Sequence, residues 1–186
     1  FFESKALRNG FLTHLSLQMF FAWTIIYIPL YMATELGYSW DVIGTILGIG
    51  LLAYVLFEWP IGYLADKKFG EKEMMALGFL VLAVSCSWIA FLDSQAFWPW
   101  ALLMFLTRTG ASLVEVTCES YFFKHTKGTD ANLISFFRLT RPLGLVLGSL
   151  VGSAALLFLP FNLIFVVFAF TLVPAMLLTS RLRDTR

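Results

Sequence analysis

The chain has 186 residues, of which 59% are hydrophobic and only 13% are charged, with a formal net charge of +1. Soluble domains carry roughly half apolar and a quarter charged residues, and one water-facing globule of this size could not bury so much apolar surface. The composition therefore excludes an ordinary soluble domain, and without a basic stripe interleaved with aromatic residues it excludes a nucleic-acid-binding module. The lipid bilayer is the expected partner.

Six apolar runs are long enough to cross a membrane, whose hydrocarbon core of about 30 Å requires about 20 helical residues. They predict helices at 9–32, 42–65, 74–92, 97–123, 133–157 and 160–179. Strands in a membrane must close into a barrel, and these runs are too long and too uniformly apolar for barrel strands. The predicted fold class is all-α: a polytopic membrane bundle of six transmembrane helices in one domain.

The basic residues fall on one side of the predicted helices. The N-terminal segment, the second and fourth loops and the C-terminal tail hold Lys and Arg, whereas the first and third loops carry Glu35, Asp41 and Asp93 and no basic residue. Cytoplasmic loops of membrane proteins are enriched in Lys and Arg. Both termini are therefore predicted to be cytoplasmic, in a multi-pass protein of the cell membrane.

Helix 1 carries a stripe of polar and aromatic residues every three or four positions. Facing a cavity, Gln18, Thr24 and Tyr27 could bind a solute through hydrogen bonds and ring contacts. Ordinary helix packing by small hydroxyls is the equally open alternative. His14 has no second ligand near it in the sequence, so no metal site is predicted, and no cofactor is predicted either.

The loop after helix 2 reads GYLADKKFGEKEMM at 62–75, a charged segment between two apolar runs. Its glycines suit a sharp reversal of the chain. The arrangement resembles the helix 2 to helix 3 signature of the major facilitator superfamily, although one extra residue precedes the second glycine and Glu71 stands where a base is usual. The residues that carry the resemblance are Gly62, Asp66, Lys67, Gly70 and Lys72.

The resemblance implies a function for this loop and an architecture for the chain. Asp66 would help to latch a cytoplasmic gate; a simple positively charged loop is the alternative interpretation. The family has two six-helix halves, each made of inverted three-helix repeats, so the repeats here would be about 9–92 and 97–180. The segment FFESKALRNG resembles a linker that enters a second half. We therefore expect a C-terminal half; a half-sized protein that forms a homodimer is the alternative.

Helix 4 carries charges that lipid should not tolerate. Arg108, Glu115 and Glu119 are seven and eleven residues apart, which puts them within about 40° of one another on one helix face. Charged groups within a membrane are functional candidates because burying them is costly. Depth along helices 4 and 5 predicts the pairs Glu119–Arg138 and Glu115–Arg141, with structural ion pairs as the alternative to a substrate or proton site.

Arg108 lies deeper than these pairs and needs a different counter-charge. Three sources are open: Glu58 on helix 2, an anionic substrate, or a group on the other half. Glu58 and Glu115 are also the candidate proton-coupling groups, because a membrane-buried carboxylate near an arginine can exchange a proton. The resemblance implies that helices 1 and 4 of each half line a central cavity.

Glycines spaced four apart predict close helix packing. Gly144, Gly148 and Gly152 form such a ridge on helix 5, and Gly44 and Gly48 form a shorter one on helix 2. The resemblance implies that these two helices meet across the interface between halves. Static packing and a sliding contact between halves are equally consistent with the pattern.

The sequence as a whole is interpreted as half of a major facilitator-type secondary transporter. It would move a small solute by alternating access, coupled to protons, and would need a second six-helix half in the same polypeptide or in a homodimer partner. The alternatives are a membrane-embedded enzyme and a non-transporting scaffold or sensor. No nucleophile motif with a partnered histidine, no pair of intramembrane aspartates and no metal-ligand cluster supports an enzyme.

Overall fold

The computed structural model describes residues 4–126, 130–180 and 182, and within these ranges the fold is all-α. Six spans are long and apolar enough to cross a membrane. The helices are α1 (Lys5–Thr34), α2 (Trp40–Leu64), α3 (Glu71–Phe91), α4 (Phe97–Lys124), α5 (Ala131–Arg138), α6 (Thr140–Leu156) and α7 (Ile164–Thr179).

The fifth predicted span is interrupted at Leu139, which separates α5 from α6. Proline has no N–H, and its ring clashes with the carbonyl four residues earlier. Pro142 therefore cannot bond to the carbonyl of Arg138, and the regular pattern resumes when the Leu143 N–H donates to the Leu139 carbonyl at 3.1 Å. The sixth span begins after Pro160 with a 3₁₀ turn, Phe161–Leu163, that leads into α7.

The 62–75 segment differs from a simple tight turn. After α2 the chain continues through a π-helical turn, Ala65–Phe69, and reverses at Gly70, whose φ of 85° lies in a region that side chains other than glycine rarely adopt. α3 then begins at Glu71, and its first turn also holds Glu73. Acidic residues are favourable there because a helix N-terminus carries a partial positive charge.

Successive spans run in opposite directions. Lys124 at the end of α4 contacts Glu71 at the start of α3, while Tyr31 near the end of α1 packs against Trp100 near the start of α4, with ring centroids 6.0 Å apart. We call the first end of the bundle the basic end and the other the acidic end. The acidic end carries Glu35, Asp41 and Asp93; the basic end carries Lys5, Arg8, Lys67, Lys68, Lys72 and Lys124.

The core lies between α1, α3, α4 and α7. Trp23 of α1 stacks on Phe168 of α7 with centroids 4.1 Å apart, and Phe79 of α3 is fully buried beside them. By contrast, only 22% of the most apolar stretch of α2, and of the span formed by α5 and α6, is buried, against 67% for α4. α2 and α6 are therefore peripheral, and each keeps a broad apolar face uncovered.

The glycine ridge of α6 faces α1 within this bundle, so the expectation that it faces another half is wrong. A Cβ at Gly144 would lie 2.7 Å from the backbone carbon of Gln18, and one at Gly148 would lie 2.7 Å from the Ala22 Cβ. Gly152 packs directly against the ring of Tyr27. The close approach lets α1 side chains reach α6 carbonyls, as the indole of Trp23 does at 2.9 Å.

The shorter ridge on α2 remains open. A Cβ at Gly44 or Gly48 would meet nothing within 4 Å among the described residues, and both glycines are exposed. The two predicted ridges therefore have different environments: the ridge on α6 is used inside the bundle, and the ridge on α2 lies on its uncovered face.

Candidate functional site

A polar cavity of about 590 Å³ lies between α1, α2, α4 and α6. Charged and hydroxyl groups from four helices converge on it, although each of those helices is mostly apolar. We call it the polar cavity, and its lining residues are Gln18, Phe21, Thr24, Ile25, Leu47, Leu51, Tyr54, Arg108, Glu115 and Arg141.

Arg108 is the deepest charge in this cavity, with only 7% of its surface exposed. Its guanidinium carbon lies 5.7 Å from the centre of the Phe21 ring, a distance at which the ring face attracts a cation. Gly50 makes room for the arginine, since a Cβ there would lie 3.3 Å from its Cγ. Among the described residues no carboxylate lies within 4.0 Å of Arg108. Glu58 is exposed on α2 and is not its partner.

The carboxylates of α4 pair with α6 instead. Arg141 lies 3.9 Å from Glu115, as the depth argument expects, and also 3.4 Å from Glu119. The expected Glu119–Arg138 pair does not form, and Arg138 has no carboxylate within 4.0 Å in the described part of the chain. Arg141 contacts Glu119 in its place. One arginine is thus shared by two carboxylates.

A second cavity, of about 570 Å³, lies toward the basic end. We call it the basic-end cavity; it is lined by His14, Glu119, Phe123, Ile134, Phe137, Arg138 and Arg141. Arg141 lines both cavities. The two spaces therefore adjoin at this side chain and its paired carboxylates.

His14 forms a buried hydrogen-bond chain between α1 and α6. Its Nδ1 lies 2.7 Å from the Thr140 hydroxyl, which donates its own proton to the Phe137 carbonyl at 2.6 Å. The hydroxyl must therefore accept from His14, so that Nδ1 carries the proton. Nε2 is then free to accept from the Gln18 amide at 3.2 Å. This tautomer is a neutral imidazole with both nitrogens satisfied.

The sequence did not predict this series of hydrogen bonds from His14. His14 and Gln18, one helical turn apart, were the visible signal, but Thr140 lies 126 residues away along the chain. The His14 ring also stacks on Phe137, with centroids 4.4 Å apart. Gln18 therefore both lines the polar cavity and contacts His14.

Tyr27 and Thr24 have different surroundings from each other. The Tyr27 hydroxyl donates to the Ser149 carbonyl at 2.7 Å and lies 3.0 Å from the Ser153 hydroxyl. Tyr27 is 4% exposed and does not line the polar cavity, so its expected place in a solute site is corrected to a contact between α1 and α6. Thr24 does line the cavity, and its hydroxyl donates to the Phe21 carbonyl at 3.1 Å.

The 62–75 segment holds the residues of the expected gating motif at the basic end. Lys67 is exposed, Gly70 makes the reversal, and Lys72 lies 3.6 Å from Glu73. A Cβ at Gly62 would make an ordinary contact, 3.9 Å from Val116. The side chain of Asp66 lies outside the described residues.

Glu71, the departure from the expected motif, has a structural explanation. It is 1% exposed, and one of its oxygens accepts from the Lys124 ammonium at 2.5 Å. A base at this position would face another base at the end of α4. The acid therefore joins the start of α3 to the end of α4.

Solved transporters share this fold. The chain superposes on a crystal structure of the nucleoside transporter NupG with a TM-score of 0.81 and 16% identity, over 98% of this chain and 45% of that one. It superposes on the POT family transporter PepTSo with a TM-score of 0.75 and 14% identity, over 97% of this chain and 38% of that one. The chain thus spans less than half the length of either transporter. No curated protein matches it.

The sequence itself matches the family profile described as Major Facilitator Superfamily over residues 10–186. That match includes all but the start of the first membrane span, the other five spans, the 62–75 segment and all the charged residues of the two cavities. Because it extends over nearly the whole chain, this multi-pass membrane protein belongs to the Major Facilitator Superfamily, a family of transporters and not of enzymes.

Proposed function

We propose that this chain is one six-helix half of a secondary transporter of the cell membrane, which moves a small solute by alternating access coupled to protons. The observation that carries the proposal is the polar cavity, where Arg108, Glu115 and Arg141 converge inside an otherwise apolar bundle. Charged groups at membrane depth persist where they line a path for solutes or ions. Because the matched transporters are more than twice as long, the complete path requires a second half.

The packing of the spans supports two inverted three-helix repeats. α1 packs mainly on α6, and α2 packs mainly on α4. In two inverted repeats, α1 corresponds to α4, α2 to α6 and α3 to α7. The interface between α1 and α6 then corresponds to the interface between α4 and α2. The contact between α3 and α4 likewise corresponds to the contact between α7 and α1. Two repeats, about 9–92 and 97–180, therefore account for the helix neighbours in this half.

The uncovered apolar faces of α2 and α6 support a second six-helix half as the partner. These faces lie beside the polar cavity, so a second half seated there would form its missing wall. That half lies in the same polypeptide or in a homodimer partner; the intact mass of the native protein distinguishes the two. The large exposed residues are Leu51, Leu52, Val55, Leu56 and Trp59 on α2 and Leu143, Leu145, Val146, Leu147 and Leu150 on α6.

The basic end is proposed to be cytoplasmic, because its described lysines follow the bias of cytoplasmic loops. The motif residues Gly62, Asp66, Lys67, Gly70 and Lys72 would then act at the cytoplasmic entrance. Labelling a cysteine introduced at exposed Lys67 in sealed, oriented vesicles tests the orientation. Reaction only from the extracellular side would contradict it.

Proton coupling is proposed to use Glu115, because its carboxylate lines the polar cavity and shares Arg141 with Glu119. Proton binding would release it from the arginine. Glu115→Gln should then abolish pH-driven accumulation but leave exchange without a gradient. Glu58→Gln is the companion variant, since Glu58 is exposed on the uncovered side of α2. If both variants still accumulate solute in a pH gradient, neither carboxylate couples protons.

Alternating access can be tested without knowing the solute. A cysteine replacing Leu51, which lines the polar cavity and is 53% exposed, is treated with a membrane-impermeant maleimide from either side of vesicles that hold the full-length protein. Labelling from both sides is expected, because the cavity opens in turn to each. The cysteines Cys86 and Cys118 are buried and should react little.

The matched control is Leu80→Cys, at an exposed position on α3 outside the polar cavity. A thiol there should face lipid and stay unlabelled from both sides. Labelling of Leu51→Cys from one side only would contradict alternating access and would favour a non-transporting scaffold or sensor with the same fold.

A further inference from the structure

We propose that the polar cavity binds an organic anion, with its carboxylate or similar oxyanion at Arg108 and Tyr54 and its apolar body against α1 and α2. The proposal rests on the proposed function, because it names the class of solute that the same cavity would take. It is carried by two buried polar groups, Tyr54 without a hydrogen bond within 3.5 Å and Arg108 without a carboxylate within 4.0 Å in the described part of the chain.

The first observation is the charge of Arg108. Its side chain is more than nine-tenths buried, and no carboxylate of the described chain lies within 4.0 Å. Burying a lone charge is costly, and an unpaired one retained in a membrane protein marks a binding site. The Phe21 ring at 5.7 Å attracts the cation but cannot neutralise it.

The remaining charges of the cavity do not serve Arg108. Glu115 lies along the same face of α4 but contacts Arg141 at 3.9 Å, and Arg141 also binds Glu119 at 3.4 Å. The described lining carries two cations, Arg108 and Arg141, and one anion, Glu115. Both carboxylates of α4 contact Arg141, so Arg108 is the charge of this group that has no direct ionic contact. An incoming anion would supply that contact, whereas a cation would be repelled by the guanidinium.

The second observation is the hydroxyl of Tyr54. It is buried and has no hydrogen-bond partner within 3.5 Å among the described residues, and its polar neighbours are the Glu115 carboxylate and the Arg108 guanidinium. A buried hydroxyl without a close partner loses its bonds to water. A ligand oxygen held at Arg108 would supply an acceptor at hydrogen-bond distance. A guanidinium fork and a hydroxyl together match the oxygens of a carboxylate or a phosphate.

The apolar lining defines the rest of the ligand. Phe21 and Ile25 of α1 and Leu47 and Leu51 of α2 form most of the wall beside these donors. A cavity of about 590 Å³ has the size of a small-molecule site, where apolar walls bind the body of a ligand and few polar groups orient it. The expected class is therefore an organic anion with an apolar body, in preference to an inorganic anion or a neutral amide.

The test compares acids with their uncharged amides. Purified full-length protein in a neutral maltoside detergent is heated with acetate, hexanoate, benzoate or 2-naphthoate, and with the matching primary amides, while its unfolding is followed. A ligand that binds the native state raises the Tm with concentration. We expect hexanoate, benzoate or naphthoate to raise the Tm, with phenyl phosphate doing the same, and the amides and acetate to have little effect.

Three variants locate the binding. Arg108→Gln should weaken the binding of the best acid by about 100-fold, since a buried charged partner is lost. Tyr54→Phe, which removes one oxygen and keeps the ring, should weaken it by about 10-fold and stands in for Arg108→Gln if that variant does not fold. Arg8→Gln removes the same charge at an exposed position outside the cavity and should bind like the unaltered protein.

The outcomes also separate this proposal from the proposed function. Equal Tm shifts with acids and amides, no shift with any anion, or unaltered acid binding in both Arg108→Gln and Tyr54→Phe would overturn the anion site. Two-sided labelling of Leu51→Cys would still support a transporter in each of those cases. One-sided labelling together with acid-specific shifts would instead support an anion-binding protein that does not transport.

Discussion

Gly144→Ala should loosen the contact between α1 and α6. The added Cβ would lie 2.7 Å from the backbone carbon of Gln18 and 2.9 Å from the Met19 nitrogen. Backbone atoms cannot swing away as the end of a side chain can, so α6 must move as a whole. Overpacking of this kind costs about 3 kcal/mol at the upper end of its usual range, and the better helix propensity of alanine returns about 1 kcal/mol. The expected net loss of stability is about 2 kcal/mol.

The measurement is the free energy of unfolding of the full-length protein in mixed micelles of mild detergent and sodium dodecyl sulfate. Gly62→Ala is the matched control, because its Cβ would make only an ordinary contact, 3.9 Å from Val116. That variant should be unchanged or stabilised by up to about 1 kcal/mol through helix propensity.

The reasoning fails if Gly144→Ala proves as stable as Gly62→Ala. Such a result would mean that α6 does not pack on α1 at the distance described. Tryptophan emission is a second measurement, which detects a movement of α6 even where the free energy of unfolding is unchanged. The indole of Trp23 donates to the Gly148 carbonyl at 2.9 Å. Displacement of α6 should break this bond and change the tryptophan emission in the folded state.

Three further variants test other contacts, two by the same unfolding measurement and the third by association of two halves. Tyr27→Phe should cost about 1 kcal/mol, because it removes the hydrogen bond to α6 and keeps the ring; no loss would mean that the hydroxyl contributes nothing to packing. Glu71→Gln should cost about 1–3 kcal/mol because the carboxylate is buried, whereas Glu73→Gln, half-exposed on the same turn, should change stability by less than about 0.5 kcal/mol; equal effects would contradict the buried pairing. Gly44→Leu should leave this bundle intact, since open space surrounds the position, but should weaken association with a second half; unchanged association, measured as co-purification of two separately expressed halves, would place that half elsewhere.

The membrane spans were the most predictable feature, because the cost of leaving backbone groups unbonded in lipid allows little besides long helices. The interruption before α6 could also be predicted in principle, since Pro142 lies at a fixed distance from the carbonyl that it displaces. The charged face of α4 follows from spacing alone. Each of these features depends on residues that are close in sequence.

The partners across helices were less predictable. Thr24 and Tyr27 belong to one polar stripe, yet they lie about 60° apart around the helix at 100° per residue. That difference is enough to turn one toward the polar cavity and the other toward α6. The sequence likewise showed that α6 has a glycine ridge, but a ridge of small residues indicates only that another helix packs closely, not which one. Its partner depends on how α1 and α6 are placed, which no local pattern records.

The distribution of charge distinguishes two regions of this half. Toward the basic end, Arg141 is shared between Glu115 and Glu119, so loss of either carboxylate leaves it one partner. Deeper in the bundle, Arg108 has no carboxylate within 4.0 Å in the described chain, and the neighbouring Tyr54 hydroxyl has no hydrogen bond within 3.5 Å. Glu115 lies seven residues along the same face, about 10 Å away, and its carboxylate contacts Arg141 of α6. We infer that the neutralising group for Arg108 comes from outside this bundle, either with the solute or from the second half. The acid and amide comparison decides between these sources, because an arginine already paired with a carboxylate of the second half would bind both kinds of ligand equally or not at all.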